Sequence, residues 1–158
     1  MSFHLIEDTR QKIGQHETKN EGWRRMGVYV IRCRLPFGDY APVPPVSVDT
    51  KKDIYEIANN IRNDHGRFRR ECIEAQKHGC TLVFLIENEE GVTSLDDLVD
   101  WNESAKHFKE RRGKEPFSGK TLAKSMSTMA DKYGVRFEFC TPEEAHERVQ
   151  KIIEKHMG

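Results

Sequence analysis

The sequence has 158 residues, a formal net charge of zero, 33% charged residues and 36% hydrophobic residues. A chain of this length predicts one domain, residues 1–158, that is large enough to bury a core. Its recurring apolar segments exclude a disordered chain, and its zero net charge excludes a nonspecific cationic coat for DNA. Local basic surfaces remain compatible with this charge balance, because the distribution of charge decides them.

The cysteines indicate a reducing compartment. Cys33, Cys72, Cys80 and Cys140 lie far apart in the sequence, and none forms a CxxC pair. We therefore predict neither a zinc site nor a disulfide framework. The sequence opens without the pattern of a signal peptide, and it has no apolar run of the roughly 20 residues that a membrane span needs. We expect a cytoplasmic protein with reduced thiols.

The first third of the chain predicts three strands. A short apolar run over residues 3–6 predicts the first strand, and residues 9–22 predict a polar, basic loop with a short helical piece. The β-branched run at residues 28–31 predicts the second strand. Residues 41–45 are rich in proline, which suits a sheet edge or a hairpin loop. Residues 46–50 predict the third strand.

The remainder of the chain alternates helices and strands. Apolar residues at helical spacing predict the helices, and a nearly unbroken apolar run at residues 81–86 predicts a strand buried on both faces. Residues 106–119 predict an exposed, mobile loop. The order of elements predicts an α/β domain whose mixed sheet has helices on both faces. The predicted helices cover residues 52–61, 68–78, 94–101 and 120–133, a last strand covers residues 135–139, and a final helix begins near residue 142.

Two acids and a lysine carry the first indication of chemistry. Asp49 and Lys51 are two residues apart in a predicted strand, so their side chains point to the same face. Asp39 follows the preceding strand, and a hairpin would bring it alongside them. Paired carboxylates hold a hard cation such as Mg²⁺, and a nearby lysine can orient water or stabilise developing negative charge. The pattern predicts metal-assisted cleavage of a phosphodiester, whereas the simplest alternative is a surface hairpin with solvated charges.

Five short motifs stand in order along the chain: IEDTR at residues 6–10, FGDY at 37–40, VDTK at 48–51, GRFRREC at 66–72 and LVFLIE at 82–87. Together they resemble the XPF-type structure-specific endonuclease domain of the PD-(D/E)xK group. They agree with that family in order and spacing from about residue 5 to residue 88. Residues 89–158 would form a C-terminal extension of a motif-bearing core at about residues 3–88.

The resemblance implies a fold and an activity. The expected fold is restriction-endonuclease-like, with a central mixed β-sheet flanked by helices on both faces. The expected activity is Mg²⁺- or Mn²⁺-dependent endonuclease cleavage of branched or flapped DNA, in repair or recombination. The expected partner is DNA, and family precedent suggests a homodimer.

The resemblance also assigns roles to individual residues. Asp8, Asp39 and Asp49 would be the metal ligands, and together with Lys51 they would be the catalytic residues. Asp49 stands where the family has glutamate, which keeps the charge and shortens the side chain. The family's aspartate four residues after the lysine falls on Tyr55, with Asp53 and Glu56 as nearby substitutes. The expected nucleic-acid contacts are Arg10 and Arg67 from the resemblance, and Arg70 and Lys120 from clusters of basic residues.

Two other functions stay open at this point. One is a non-catalytic DNA-binding or partner-docking module of the same fold. The intact acids and lysine favour an enzyme over that module. The other is a nuclease that acts on RNA or on nonspecific DNA, and the motifs do not separate it from a structure-specific enzyme because the cleavage chemistry is the same.

Overall fold

The structure is a computed structural model that describes residues 4–10 and 12–157. Phe3, where the first strand was predicted to begin, lies outside the described residues. The chain divides into two compact units, Met1–Pro44 and Pro45–Gly158. Within the described part of the chain, no helix combines the length and the apolar character that crossing a membrane requires.

The first unit contains a three-stranded mixed sheet and one helix. The central strand β1 (His4–Asp8) pairs in parallel with β2 (Tyr29–Cys33) and antiparallel with β3 (Tyr40–Pro42). Helix α1 (Glu17–Arg25) connects β1 to β2, since parallel neighbours need a crossover connection. The proline-rich segment therefore supplies an edge strand, as its composition predicted.

A buried polar network ties the elements of this unit together. Glu7 on β1 is only 2% exposed, and its carboxylate accepts hydrogen bonds from Asn20 Nδ2 at 2.6 Å and Arg32 Nη1 at 2.7 Å. The Tyr40 hydroxyl donates to Asn20 Oδ1 at 2.9 Å. A buried carboxylate without such partners would be strongly destabilising, so this network holds α1, β2 and β3 against β1.

The second unit is built on a parallel three-stranded sheet. Strand β5 (Thr81–Glu87) lies between β4 (Val46–Lys51) and β6 (Arg136–Cys140). Residues 82–86 are all buried, which confirms the strand predicted to be buried on both faces. The helices of this unit are α2 (Ile54–Asn63), α3 (His65–Lys77), α4 (Leu95–Leu98), α5 (Gly119–Tyr133) and α6 (Ala145–Met157), with single 3₁₀ turns at Ala105–His107 and Pro142–Glu144.

Helices cover both faces of this parallel sheet. Phe84 and its neighbours two residues away on β5 pack into the main core with apolar residues of α2, α3 and α5. Val83 faces the opposite way and packs against Ile152 of α6. The predicted α/β class with a helix-flanked sheet is therefore confirmed, and the six strands are shared between two sheets.

Close packing fixes one glycine at the start of α5. Ser118 caps this helix by accepting a hydrogen bond from the Thr121 N–H. The next residue, Gly119, is buried, and a Cβ atom there would overlap the backbone of Leu98 and Trp101. The first turn of α5 can approach α4 only because this position has no side chain.

We expect Gly119→Ala to lower the free energy of unfolding by about 3 kcal/mol, because the added methyl group overlaps backbone atoms that cannot move independently. Gly22→Ala is the matched control, since Gly22 lies in α1 and a Cβ atom there would have open space around it. That control should raise stability slightly, through better helix propensity. Urea unfolding measures both changes, and equal stability of the two variants would contradict the packing constraint.

Candidate active site

In the first unit, two of the predicted acids lie at neighbouring strand ends. Asp8 ends β1 and is 1% exposed, and its backbone N–H donates to the Asp39 carbonyl at 2.9 Å. Asp39 directly precedes β3 and follows Gly38, whose φ of +80° favours glycine. The backbone pairing therefore brings Asp8 and Asp39 together.

The Asp8 carboxylate is ionised and held in place. Its Oδ1 atom accepts a hydrogen bond from the Leu35 N–H at 2.8 Å, and its Oδ2 atom is bound by Arg10 Nε. The Leu35 N–H and, beyond it, the Arg10 guanidinium hold the pKa of Asp8 below its ordinary value, against the opposing effect of burial. Arg10, a predicted nucleic-acid contact, thus forms an ion pair with Asp8.

The predicted hairpin between the strand that precedes Asp39 and the strand that carries Asp49 is not formed, so that prediction is wrong. Strand β2 pairs with β1, and β4 pairs with β5. The error has a physical cause: β1 accepts β2 as a parallel neighbour, so the chain after β2 returns to the other edge of β1 instead of forming a hairpin.

In the second unit, Asp49 and Lys51 lie side by side on β4 as their spacing predicted. Lys51 Nζ is 3.3 Å from Asp49 Oδ2. Asp49 is paired with Phe84 across the parallel ladder and Lys51 with Ile86, so both point to the face that carries the main core. Lys51 is 8% exposed, and its ammonium lies 5.8 Å from the centre of the Phe84 ring. The strand therefore holds the ammonium in a restricted position.

These two side chains open into a polar cleft of about 340 Å³. Strand β4 and helices α2 and α3 form its walls, and most of its lining is charged or polar. Acids outnumber the basic residues, so the cleft carries excess negative charge. Its lining residues are Asp49, Lys51, Glu56, Asn60, Asp64, Arg67, Phe68 and Glu71.

The electrostatics of the cleft fit a bound cation. Partial burial and the negative charge of Asp49 raise the pKa of Glu71, while Lys51 and Arg67 oppose that rise. The Asn60 Oδ1 atom is buried and has no hydrogen-bond partner among the residues that the structure describes. A cation would relieve the repulsion between the two acids and satisfy an oxygen that otherwise carries a desolvation cost.

The donor set suits Mg²⁺ in its usual mode of binding. Within residues 4–10 and 12–157, no group of three or more His, Cys, Asp or Glu side chains is placed to hold a metal ion. Mg²⁺ rarely uses such a cage, since one or two carboxylates usually bind it together with water and substrate phosphates. Asp49, Glu71 and the Asn60 amide oxygen offer carboxylate and neutral oxygen ligands of that kind.

Helix α2 contributes an acid that the motif comparison placed only approximately. Tyr55 stacks on His107 at 3.8 Å between ring centres, away from the cleft. Asp53 caps α2 by accepting a hydrogen bond from the Glu56 N–H at 2.8 Å. Glu56 lines the cleft and accepts a hydrogen bond from the Lys52 N–H at 2.9 Å. Of the two predicted substitutes, Glu56 is therefore the one that faces the site.

The predicted nucleic-acid contacts of this unit lie in different places. Arg67 lines the cleft, with its side chain 80% exposed and 3.7 Å from Asp64. Arg70 and Lys120 are exposed and do not line it. The sequence analysis missed Asn60, Asp64 and Glu71 as parts of the site. The signal for Asn60 and Asp64 was the spacing of polar residues at positions 56, 60 and 64, which places them on one side of the helical segment.

A family model described as "ERCC4 domain" matches residues 8–149. "XPF from Aeropyrum pernix, complex with DNA" is similar in structure, with a TM-score of 0.46, 18% identity, and coverage of 96% of this chain and 64% of that chain. "XPF from Aeropyrum pernix" gives a TM-score of 0.40, 20% identity, and coverage of 87% and 56%.

This chain therefore spans less than two-thirds of either solved chain, at 64% and 56% of their lengths. A comparison with curated proteins finds no match. The family match agrees with the family that the motifs predicted.

Asp8 should make stability sensitive to acid. Because its folded pKa lies below the ordinary value of 3.8, ionised Asp8 stabilises the folded protein above that value, and the contribution is lost as pH falls through the folded pKa. We expect Asp8→Asn to lower the free energy of unfolding at neutral pH, and the difference from wild type to shrink as the pH falls below 3.8. Urea unfolding in EDTA measures it, with the exposed Asp131→Asn as control. A difference that stays constant with pH would contradict the assignment.

Mg²⁺ should stabilise the folded protein through the cleft. At a free Mg²⁺ concentration ten times the Kd, binding to the folded state adds about 1.4 kcal/mol to the free energy of unfolding. We expect a rise in Tm for wild type and for Asp131→Asn, and a smaller rise for Asp49→Asn, which lacks one carboxylate charge. Thermal unfolding followed by circular dichroism measures the shift. An equal shift in Asp49→Asn would show that Mg²⁺ binds elsewhere.

Proposed function

The chain belongs to the ERCC4 domain family, and on that premise we propose that it is a metal-dependent endonuclease that hydrolyses phosphodiester bonds. The observation that carries the proposal is the Asp49–Lys51 pair, 3.3 Å apart at the wall of an acid-rich cleft. We propose DNA as the substrate, in branched or flapped form, in keeping with the motif resemblance.

Lys51 has the placement that such a reaction needs. Lys51 is 8% exposed, and its strand pairs with β5, whose residues 82–86 are buried, so the ammonium cannot move freely. A fixed cation beside the reacting phosphate stabilises the negative charge that develops there, and it can also donate a hydrogen bond that orients the attacking water. Asp49 keeps the ammonium directed towards the cleft.

The carboxylates of the cleft would hold the metal. A bound Mg²⁺ or Mn²⁺ supplies Lewis-acid stabilisation of the phosphate and lowers the pKa of a bound water. Asp49 and Glu71 would be its carboxylate ligands in this unit, with the Asn60 amide oxygen as a neutral ligand. The roles of Asp8 and Asp39, which lie in the first unit, as metal ligands stay predictions from the motif resemblance.

Arg67 would bind a phosphate next to the one that is cut. Its side chain is 80% exposed, and its ion pair with Asp64 is long, at 3.7 Å. An exposed pair of this kind contributes little to stability, so the guanidinium is available for a bidentate contact with phosphate oxygens. This arrangement would place the backbone of the nucleic acid across α3.

Cleavage of labelled flap, fork, four-way-junction and linear duplex DNA tests the proposal, with a matching RNA duplex alongside. We expect cutting with Mg²⁺ or Mn²⁺ and none in EDTA. Lys51→Met and Asp49→Asn should each reduce the rate by a factor on the order of 10² to 10³, because each removes a group that stabilises the transition state. Lys52→Met is the matched control, since Lys52 is exposed and adjacent in sequence.

The outcomes separate the functions that the sequence left open. Cutting of branched DNA that is lost in Lys51→Met and retained in Lys52→Met supports the proposal. Cutting of RNA or of every substrate alike would keep the nuclease and overturn its preference for branched DNA. DNA binding without cutting in either metal would overturn the enzyme and favour the binding module. Circular dichroism of each variant shows whether a loss of rate reflects a loss of folding.

A further inference from the structure

A second cavity in the same unit has a different character from the acidic cleft. It encloses about 690 Å³ between α2, α5 and the segment before α5, a size typical of sites that hold small ligands. Ala58, Leu122 and Met129 form its floor, and all three are buried apolar residues. We call this cavity the apolar groove.

One wall of the apolar groove contains an aromatic ring and a guanidinium group. Phe117 lines the groove, and the Arg62 guanidinium, which donates a hydrogen bond to the Glu115 carbonyl, lies over its ring, 5.0 Å from the ring centre. The backbone at Phe117 is held because its N–H donates at 3.0 Å to the Glu103 carboxylate, which also binds Arg111 at 3.1 Å. The ring packs against Tyr55 at 5.7 Å between ring centres. A wall fixed in this way costs little entropy when a flat ligand stacks on it.

The rim of the groove is basic. Arg62, His65 and Lys124 line it and are exposed, whereas the acidic lining is Glu115. Lys120 lies four residues before Lys124 and therefore on the same side of α5. The ligand that matches this rim is anionic, and the ligand that matches the wall and floor has a flat, weakly polar face.

Helix α2 connects the groove to the acidic cleft. Glu56 and Asn60 face the cleft, whereas Ala58 and Arg62 line the groove. The two sites are therefore separated by the width of one helix, about 10–12 Å with side chains. A flexible strand with phosphate held near Arg67 would have its neighbouring nucleotides within reach of Arg62 and Phe117.

We propose that the apolar groove binds an unpaired base of a single-stranded nucleic acid, with phosphates on its basic rim, an inference that rests on the nuclease function proposed above. Single-strand binding proteins combine these two features, a basic track for the backbone and aromatic rings on which bases stack. The groove takes a base that has left a duplex, so it selects substrates with a single-stranded arm. It supplies a physical reason for a preference for flaps and forks.

Fluorescence anisotropy in EDTA tests this binding apart from cleavage. The probe is a labelled oligothymidylate of about ten nucleotides, compared at one fixed salt concentration with an abasic strand of equal length and charge. We expect the abasic strand to bind about tenfold more weakly, because it keeps the phosphates and loses the stacking. Equal affinity for the two strands would overturn the proposal.

Variants locate the binding on the protein. Phe117→Leu keeps an apolar side chain and loses the aromatic face, so it should remove most of the preference for thymidylate over the abasic strand. Lys124→Glu should weaken both strands several-fold, while Lys151→Glu makes the same charge change at an exposed position of α6 and should not. If Phe117→Leu fails to fold, comparing Lys124→Glu with Lys151→Glu still shows whether the groove binds the strand. Equal binding by that pair would overturn the groove as the site.

The result is separable from the proposed function. Base-dependent binding without cleavage of any substrate would support the groove and overturn the nuclease. Cleavage without base-dependent binding would support the nuclease and overturn the groove as a base-binding site. Binding of an acidic amphipathic peptide in place of the oligonucleotide would overturn the proposal and assign the groove to a protein partner.

Discussion

The parallel pairing of β4 with β5 determines where the candidate chemistry can occur. β5 is buried on both faces, and this burial fixes the register in which β4 pairs with it. That register aligns Asp49 with Phe84 and Lys51 with Ile86, and it directs both polar side chains to the core face of the sheet. A shift of one residue would send them to the opposite face. The hydrophobic strand thus fixes the ammonium and the carboxylate of the neighbouring strand.

The cleft concentrates charges that a folded protein would otherwise separate. Partial burial and, after it, the negative charge of Asp49 raise the pKa of Glu71. Lys51 and Arg67 offset part of it. Unfavourable local electrostatics of this kind occur at functional sites, where the missing stabilisation comes with a ligand. The buried Asn60 Oδ1 atom, which has no hydrogen-bond partner among the described residues, is a further group that a bound ligand would stabilise.

Helix α2 serves two sites because its opposite sides differ. Its acidic and amide residues recur every four positions and face the cleft, whereas Ala58 and Ile61 face the apolar groove. The helix begins at a cap, Asp53, and ends where Asp64 leads directly into α3. The same short connection therefore orients Arg67 towards one site and His65 towards the other. A nucleic acid bound at both would cross this helix.

The sequence by itself determined the features that depend on the backbone period and on short motifs. Strand alternation places Asp49 beside Lys51 whatever the neighbouring strands do, the apolar run at residues 81–86 can only be a buried strand or helix segment, and the register of motifs identified the family. Only the tertiary structure decided which strands pair, because pairing depends on burial between residues far apart in the chain. In place of the expected hairpin, β1 and β5 are the central strands of two sheets, and Asn60 and Glu71 come from two helices to line one cleft with Asp49 of β4.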